Sequence, residues 1–174
     1  MSIAENIHRL EAELAGSGSG ARARLVVVTK THPVERLREA YAAGARRFGE
    51  NRPQEMAAKQ PELPPDVEWH LIGHLQTNKV KLVAPFVHTV QSLDSLKLLL
   101  ALDQHAARHG RVINALLQFH IAEEEAKTGF SYHEVEEMLQ SNEFKTVNNV
   151  RLTGVMGVAT YSDDENLLCD PPPW

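Results

Sequence analysis

The chain has 174 residues, of which 43% are hydrophobic, 24% charged and 6% aromatic, a mixture typical of one soluble globular domain. With 18 Lys and Arg against 23 Asp and Glu, the formal net charge is -5, and the basic residues are scattered, which disfavours nucleic acid as a partner. No segment approaches the ~20 apolar residues of a membrane span, and glutamates interrupt Met1–Leu14 where a signal peptide has an apolar core. We therefore expect a cytoplasmic protein without membrane contact, and its single cysteine, Cys169, excludes an internal disulfide.

The first segment predicts an amphipathic helix. Ser2 and Glu5 have the spacing of a capping box. Apolar residues follow at helical spacing, namely Ile3, Ile7, Leu10 and Leu14. The glycine- and serine-rich residues 16–20 then predict a flexible connector that ends this helix.

Six strand-and-helix units follow in series. The predicted strands cover residues 25–28, 46–49, 68–72, 87–90, 112–121 and 151–156, and helical patterns cover 33–44, 53–59, 79–83, 93–109 and 131–139. Because parallel neighbours need helical crossovers, this order predicts an α/β protein with a parallel sheet. Periodicity alone leaves a doubly wound sheet and a closed eight-unit barrel of typically ~250 residues both open. No Gly-x-Gly-x-x-Gly motif follows the first strand, which weakens the dinucleotide-binding version of the open sheet.

Lys30 is the first candidate functional residue. A period of two places Val26, Val28 and Lys30 on one face, with the amine at the carboxyl end of the strand. Sites in α/β proteins are built at that end. A partly desolvated lysine there gains neutral amine, the nucleophile that forms a Schiff base with an aldehyde. The alternative is a solvated lysine that closes a strand.

Polar residues also follow the second and third strands. Asn51 offers an amide donor and acceptor to a ligand, or caps the next helix. His70 and His74 share a face of an extended segment, but two histidines without a clear third ligand make a weak metal site, so we expect no metal. Asn78 either contacts a ligand or caps the short helix that follows.

The last two strands end in further candidates. His120 and Lys127 flank an acidic run at residues 123–125, which is either a solvated loop or a loop held over a site. Met156 ends the sixth strand as core filler, or supports a planar ring at a barrel mouth. The remaining histidines are interpreted as surface residues: His8, His88, His105, His109 and His133.

Six segments, in this order, closely resemble the pyridoxal phosphate homeostasis protein family, which is related to the amino-terminal domain of alanine racemase. They are Val28-Thr-Lys-Thr-His-Pro33, Phe48-Gly-Glu-Asn-Arg52, Trp69-His-Leu-Ile-Gly-His-Leu-Gln-Thr-Asn-Lys79, Ser92-Leu-Asp-Ser95, Lys127-Thr-Gly-Phe130 and Gly154-Val-Met-Gly157. The likeness extends to about Asp164. The family often has asparagine where His120 stands, so the segment around it resembles a variant form.

The resemblance implies one domain over residues 1–174, a TIM-type (β/α) barrel of the fold-type III pyridoxal phosphate proteins. It implies that Lys30 forms the Schiff base with pyridoxal 5'-phosphate. It further implies that the other cofactor-binding residues surround the ring, namely Asn51, His70, Asn78 and Met156.

The resemblance also implies a function: a protein that binds pyridoxal 5'-phosphate in intracellular cofactor homeostasis, with cofactor-dependent apoenzymes as candidate partners. One alternative is a racemase or decarboxylase that uses the same lysine. Racemases need a second acid/base on the opposite face of the cofactor, which alanine racemase takes from a tyrosine of another domain and subunit. Here Tyr41, Tyr132 and Tyr161 lie in no motif that matches that tyrosine. A further alternative is an inactive truncated scaffold.

The carboxyl-terminal residues depart from the family pattern. Residues 165–174 form an atypical tail with three consecutive prolines, which cannot belong to a helix interior. Family members continue with two more strand-helix units that carry the phosphate-binding segment. We therefore expect about six of eight barrel units, an open sheet edge through which the chain can oligomerise, and weak cofactor binding unless another chain completes the barrel.

Overall fold

The computed structural model of the protein describes residues 1–16, 23–119 and 129–157. Its strands are β1 (Val27–Val28), β2 (Arg47–Glu50), β3 (Glu68–Leu71), β4 (Thr89–Leu93), β5 (Ile113–Phe119) and β6 (Val150–Gly157). Its α-helices are α1 (Ile3–Gly16), α2 (Val34–Ala42), α3 (Pro53–Lys59), α4 (Val80–Val83), α5 (Leu96–Arg108) and α6 (Tyr132–Gln140). Short 3-10 segments cover Gln60–Glu62, Thr77–Lys79 and Phe144–Thr146.

The strands form one parallel sheet in the order β1-β2-β3-β4-β5-β6. A doubly wound sheet reverses its strand order at a switch point, whereas here every strand pairs with the next strand of the chain. Sequential order with helical crossovers is the topology of a (β/α) barrel. The predicted barrel is therefore confirmed, with six strands in the described residues, where β1 and β6 each pair on one side.

One face of the sheet packs against the helices and forms the core. Register places Phe48 beside Trp69 and Leu71 beside Val90 on this face, and each of these side chains is at most 2% exposed. Helix residues of the same buried cluster include Leu37, Met56, Leu99 and Leu102. Burial of each such side chain contributes roughly 1.5–3 kcal/mol. This packing fixes the sheet against its helices and thereby the positions of the strand ends.

The opposite face, called the inner face below, is largely polar. One layer of residues runs in register across all six strands: Val28, Gly49, His70, Thr89, Asn114 and Arg151. Because side chains alternate along a strand, this layer and the core residues lie on opposite sides of the sheet.

Several predicted boundaries are wrong by a few residues. β1 has two residues instead of the four predicted. β4 extends to Leu93. α5 begins at Leu96 because the Ser95 hydroxyl accepts a hydrogen bond from the Leu98 amide and caps the helix there. Pro33 precedes α2 in an extended conformation (φ -71°, ψ 158°) and is not its first helical residue.

The two predicted capping boxes are confirmed. The Ser2 amide donates to Glu5 Oε2 (2.6 Å) and the Glu5 amide donates to Ser2 Oγ (3.2 Å). Ser131 and Glu134 make the same reciprocal pair at the start of α6. Each box satisfies amide donors that a helix start otherwise leaves without partners.

Several predictions fall outside the described residues: those for His120, the acidic run 123–125, Lys127, Tyr161, Cys169, the tail 165–174 and most of the connector 16–20. Within the described part of the chain, no helix has the length and apolarity that crossing a membrane requires.

Candidate functional site at the carboxyl ends of the strands

The carboxyl ends of β1, β2 and β3 lie side by side. The Thr29 amide donates to the Gly49 carbonyl and the Ile72 amide to the Glu50 carbonyl, both at 2.9 Å. A Cβ atom on Gly73 would lie 2.6 Å from the Asn51 carbonyl oxygen, so only glycine allows the two chain segments to approach this closely. The residues that follow these three strands therefore share one rim.

Lys30 follows β1 at this rim, and its side chain is exposed. Val26 and Val28 share the inner face, as predicted: Val28 pairs with Gly49, and Val26 Cγ1 lies 3.3 Å from the Cβ position of that glycine. The expected partial desolvation of Lys30 is not found, because β1 is a short edge strand in the described sheet and covers little of the turn.

The backbone beside Lys30 is strained. Thr31 has φ +66°, the left-handed region that a β-branched residue rarely adopts. Such a conformation costs roughly 1–3 kcal/mol and persists only where the surrounding structure enforces it. The turn that presents Lys30 must therefore be held by other contacts.

A buried network on the helix side of the sheet makes these contacts. Lys59 Nζ, from α3, donates to the Thr29 carbonyl (2.8 Å), to Glu50 Oε1 (2.8 Å) and to Glu55 Oε1 (2.6 Å). The Thr29 hydroxyl donates to Glu50 Oε1 at 2.7 Å. The Thr31 amide donates to Glu55 Oε1 at 2.7 Å. The network thus holds both residues that flank Lys30, and we call these five residues the turn clamp.

The turn clamp depends on a buried ion pair. The side chains of Lys59 and Glu50 are 8% and 0% exposed. The hydrogen bond from Lys59, helped by the Thr31 amide, lowers the pKa of Glu55, so Glu55 is ionised at neutral pH. Removing one member of such a pair leaves the other as an uncompensated buried charge, which is strongly destabilising.

The other predicted ring residues lie at different distances from this rim. Asn51 caps no helix, because Arg52 precedes α3 and no side chain caps that helix. Asn78 lies exposed in the 3-10 segment after β3, and α4 likewise has no side-chain cap. Met156 is half-buried on β6, in register with Gln118 of β5. The structure thus brings Lys30 and Asn51 to neighbouring strand ends, whereas Met156 lies on the far edge strand.

His70 lies below the rim, on the inner face of β3. Its ring Nδ1 is 3.0 Å from Gln91 Nε2. Burial, with a smaller contribution from the neighbouring His88, lowers the pKa of His70 to about 4, so the imidazole is neutral at pH 7. His74 does not join it, because the His74 ring bonds instead to Asp94 Oδ2 at 2.8 Å.

Sequence reasoning missed several residues of these two regions. His88 is half-buried with its ring centroid 5.6 Å from that of His70, so its interpretation as a surface residue is wrong. The His88 ring lies near His70 because His88 directly precedes β4, the strand that pairs with β3. The i,i+4 spacing of Glu55 and Lys59 was a readable signal of an ion pair. Glu50 carries no such local signal, since its partners come from β1 and α3.

Comparison with known proteins defines the class to which this fold and rim belong. The family described as "Alanine racemase, N-terminal domain" matches residues 1–170. At the level of fold alone, alanine racemase of Bartonella henselae is similar with a TM-score of 0.66 at 15% identity, over 89% of this chain and 42% of that chain. The protein is thus a barrel of the alanine racemase amino-terminal class.

More similar proteins specify the family. The pyridoxal phosphate homeostasis proteins of Pasteurella multocida and Pseudomonas aeruginosa are 32% and 35% identical to this chain, over 94% and 90% of it and over 73% and 70% of their own lengths. PipY of Synechococcus elongatus, in its structure without the cofactor, has a TM-score of 0.84 at 35% identity, over 95% of this chain and 74% of that chain. This chain belongs to the pyridoxal phosphate homeostasis protein family.

We predict that breaking the turn clamp destabilises the fold. Lys59→Met should lower the free energy of unfolding by about 3–5 kcal/mol, because it leaves the buried Glu50 carboxylate without its cation. Glu50→Gln should cost less, because Lys59 keeps its ion pair with Glu55. The double variant should lose less than the sum of the two, since the fully buried Glu50 charge is gone and only the partly exposed Glu55 is left without Lys59. Urea denaturation measures all three.

The matched control is Arg38→Met, which breaks the exposed Arg38–Glu62 pair and should cost less than about 1 kcal/mol. Single clamp variants as stable as this control would contradict a structural role for the network.

Proposed function

We propose that this protein binds pyridoxal 5'-phosphate through the amine of Lys30 and acts in intracellular homeostasis of that cofactor. The observation that carries the proposal is the exposed amine of Lys30 at the carboxyl end of β1, on a strained turn held on both sides by the turn clamp. The homologous PipY has been solved with PLP bound, at 36% identity to this chain. Candidate partners are apoenzymes that require the cofactor.

The chemistry proposed for the rim follows from its residue types. When bound, the cofactor supplies an aldehyde carbon that condenses with a primary amine and releases water. Lys30 contributes that amine, while Asn51 on the neighbouring strand end contributes an amide that can both donate and accept hydrogen bonds. The turn clamp orients Lys30 without using its side chain, which leaves the amine free to react.

The described residues fit the aldehyde end of the cofactor better than its phosphate end. Barrels of this type frequently bind phosphate with the loops that follow strands seven and eight, and the described residues contain six strands. Charge-assisted hydrogen bonds to such a group are worth ~1.5–3 kcal/mol each. Condensation of the cofactor aldehyde with a lysine, without contacts to the phosphate, gives a weaker and less selective complex than one that has both.

We therefore expect the 174-residue polypeptide to bind pyridoxal 5'-phosphate weakly. Two or three phosphate contacts change affinity by several orders of magnitude, because each 1.4 kcal/mol is about tenfold, and the six described strands do not include the loops that supply such contacts in barrels of this type. Equilibrium titration followed by absorbance, with size-exclusion chromatography to establish the oligomeric state, measures this. Submicromolar affinity in a monodisperse monomer would refute the expectation, whereas tight binding that appears only in an oligomer would indicate that a second chain completes the site.

The proposed lysine is tested directly by borohydride reduction of the protein mixed with pyridoxal 5'-phosphate. Reduction converts the carbon–nitrogen double bond to a stable amine, so peptide mass mapping should find the label on Lys30. Lys30→Arg keeps the positive charge but removes the nucleophilic amine, and it should abolish that label. Lys97→Arg, at an exposed lysine of α5, is the matched control and should leave it unchanged. Label spread evenly over many lysines would count against the site.

We expect no sustained amino-acid racemisation. A racemase needs a second acid/base opposite the cofactor. The Tyr41 hydroxyl bonds to Asp66 and its ring packs under Arg46, at the amino end of β2 and away from the rim. Tyr132 lies exposed at the start of α6. Incubation with one amino-acid enantiomer plus excess cofactor, followed by chiral chromatography, checks this; turnover abolished by Lys30→Arg would favour the enzyme alternative.

A further inference from the structure

Three potential metal ligands meet on the inner face, below the rim. Glu68, His70 and His88 each offer one ligand atom, and these three atoms all lie within 4.8 Å of one another. Glu68 and His70 lie two residues apart on β3 and so share a face, while His88 directly precedes β4. The sequence alone did not predict the group, because the third ligand is 18 residues from the second along the chain.

A second observation points to a ligand at this group. His70 is 8% exposed, and its Nε2 atom is buried without a hydrogen-bond partner among the described residues. A buried nitrogen left without a hydrogen-bond partner is destabilising, so such an atom in a folded protein calls for an explanation. The resemblance to the family assigns His70 to the surroundings of the cofactor ring, and that assignment remains untested.

Each of the three side chains is also held by a contact through an atom other than its proposed ligand atom. His70 Nδ1 bonds to Gln91 (3.0 Å) and His88 Nδ1 bonds to the Thr89 hydroxyl (2.8 Å). Glu68 Oε2 pairs with Arg47 Nε at 2.8 Å. Metal-binding histidines characteristically donate a hydrogen bond from their second ring nitrogen, which His70 does once the Gln91 amide presents its oxygen to Nδ1, and metal-binding carboxylates are likewise hydrogen-bonded. These contacts leave the two Nε2 atoms and Glu68 Oε1 as the ligand set.

The hydrogen bonding of His70 is compatible with this role. The amide of Gln91 can present its oxygen to Nδ1 in place of its nitrogen, and Nδ1 then carries the proton while Nε2 carries the lone pair. The Arg47 guanidinium repels a cation electrostatically. It also forms an ion pair with the Glu68 carboxylate and thereby holds that carboxylate in place.

We propose that Glu68, His70 and His88 bind one divalent transition-metal ion, with Zn²⁺ favoured. Two imidazoles and one carboxylate, with a fourth position open to water, are a recognised tetrahedral zinc set. Ligand atoms at ~2.0–2.1 Å from one zinc ion lie roughly 3.3 Å apart in a tetrahedron. One potential ligand atom from each of the three residues already lies within 4.8 Å of the other two, and side-chain rotation is needed to reach that separation.

The test uses the full 174-residue chain, freed of metal by chelation and titrated with ZnCl₂ by isothermal calorimetry. We expect one equivalent to bind, with thermal stabilisation that rises with zinc concentration. Co²⁺ in place of Zn²⁺ should show the intense visible absorption of four- or five-coordination. Glu68→Gln and His88→Ala should each weaken binding by more than about 100-fold, and Gln91→Ala by about 10–100-fold, since it removes a contact to a ligand and not a ligand itself.

Matched controls separate this site from adventitious binding to surface histidines. His74→Ala and His133→Ala remove exposed histidines outside the group and should bind zinc as the unaltered protein does. Lys30→Arg should also bind zinc normally, so the proposal can succeed or fail independently of the cofactor proposal. Circular dichroism verifies the folding of each variant. Because His88 is only half-buried, its substitution disturbs the core less than a substitution of the buried His70 would.

The proposal is overturned if the unaltered chain binds no stoichiometric zinc. It is equally overturned if folded His88→Ala and Glu68→Gln proteins bind as tightly as the unaltered chain, or if His74→Ala abolishes binding. A weak Co²⁺ spectrum of six-coordination would show a hydrated ion held loosely, and it too would contradict the site.

Discussion

The buried pair between Lys59 and Glu50 is the interaction on which the candidate site depends. It joins α3 to the end of β2, and through the Thr29 carbonyl it fixes the end of β1 as well. β1 has only two strand residues and pairs with one neighbour in the described sheet, so its own ladder supplies little rigidity. Side-chain contacts from α3 therefore fix the end of β1, as strand pairing fixes the other strands of the sheet. Thr31, with its left-handed backbone conformation, lies where these contacts constrain the chain.

The sequential parallel order gives the sheet two functional levels. All strands point the same way, so the chain segments that follow them gather at one rim. The inner face below that rim is filled by side chains from successive strands, and it brings together groups that are well separated in sequence, such as Glu68 and His88. The exposed amine of Lys30 at the rim and a cluster of potential ligands below it are separate consequences of the same topology.

What the sequence could predict was local. The strand alternation of Val26 and Val28, the helix 53–59 and both capping boxes follow from neighbouring residues, and the structure confirms them. The barrel followed from the family resemblance, since periodicity alone could not distinguish it from a doubly wound sheet. The contacts of Glu50 and His88 depend on strand register and on which residue begins a strand. The sequence predicted that β4 starts at residue 87, whereas it starts at residue 89, and the contact between His88 and His70 was missed.

Gly49 links the two levels of the site. It lies in register with Val28 and His70 on the inner face, directly before Glu50, whose side chain enters the turn clamp on the other face. A Cβ atom at Gly49 would lie 3.3 Å from both Val26 Cγ1 and Ile72 Cδ1, which is tighter than ordinary contact. A larger residue there would require the Val26 and Ile72 side chains to shift by a few tenths of an ångström. The small size of Gly49 therefore gives the Val26 and Ile72 side chains room between the strand end that leads to Lys30 and the strand that carries His70.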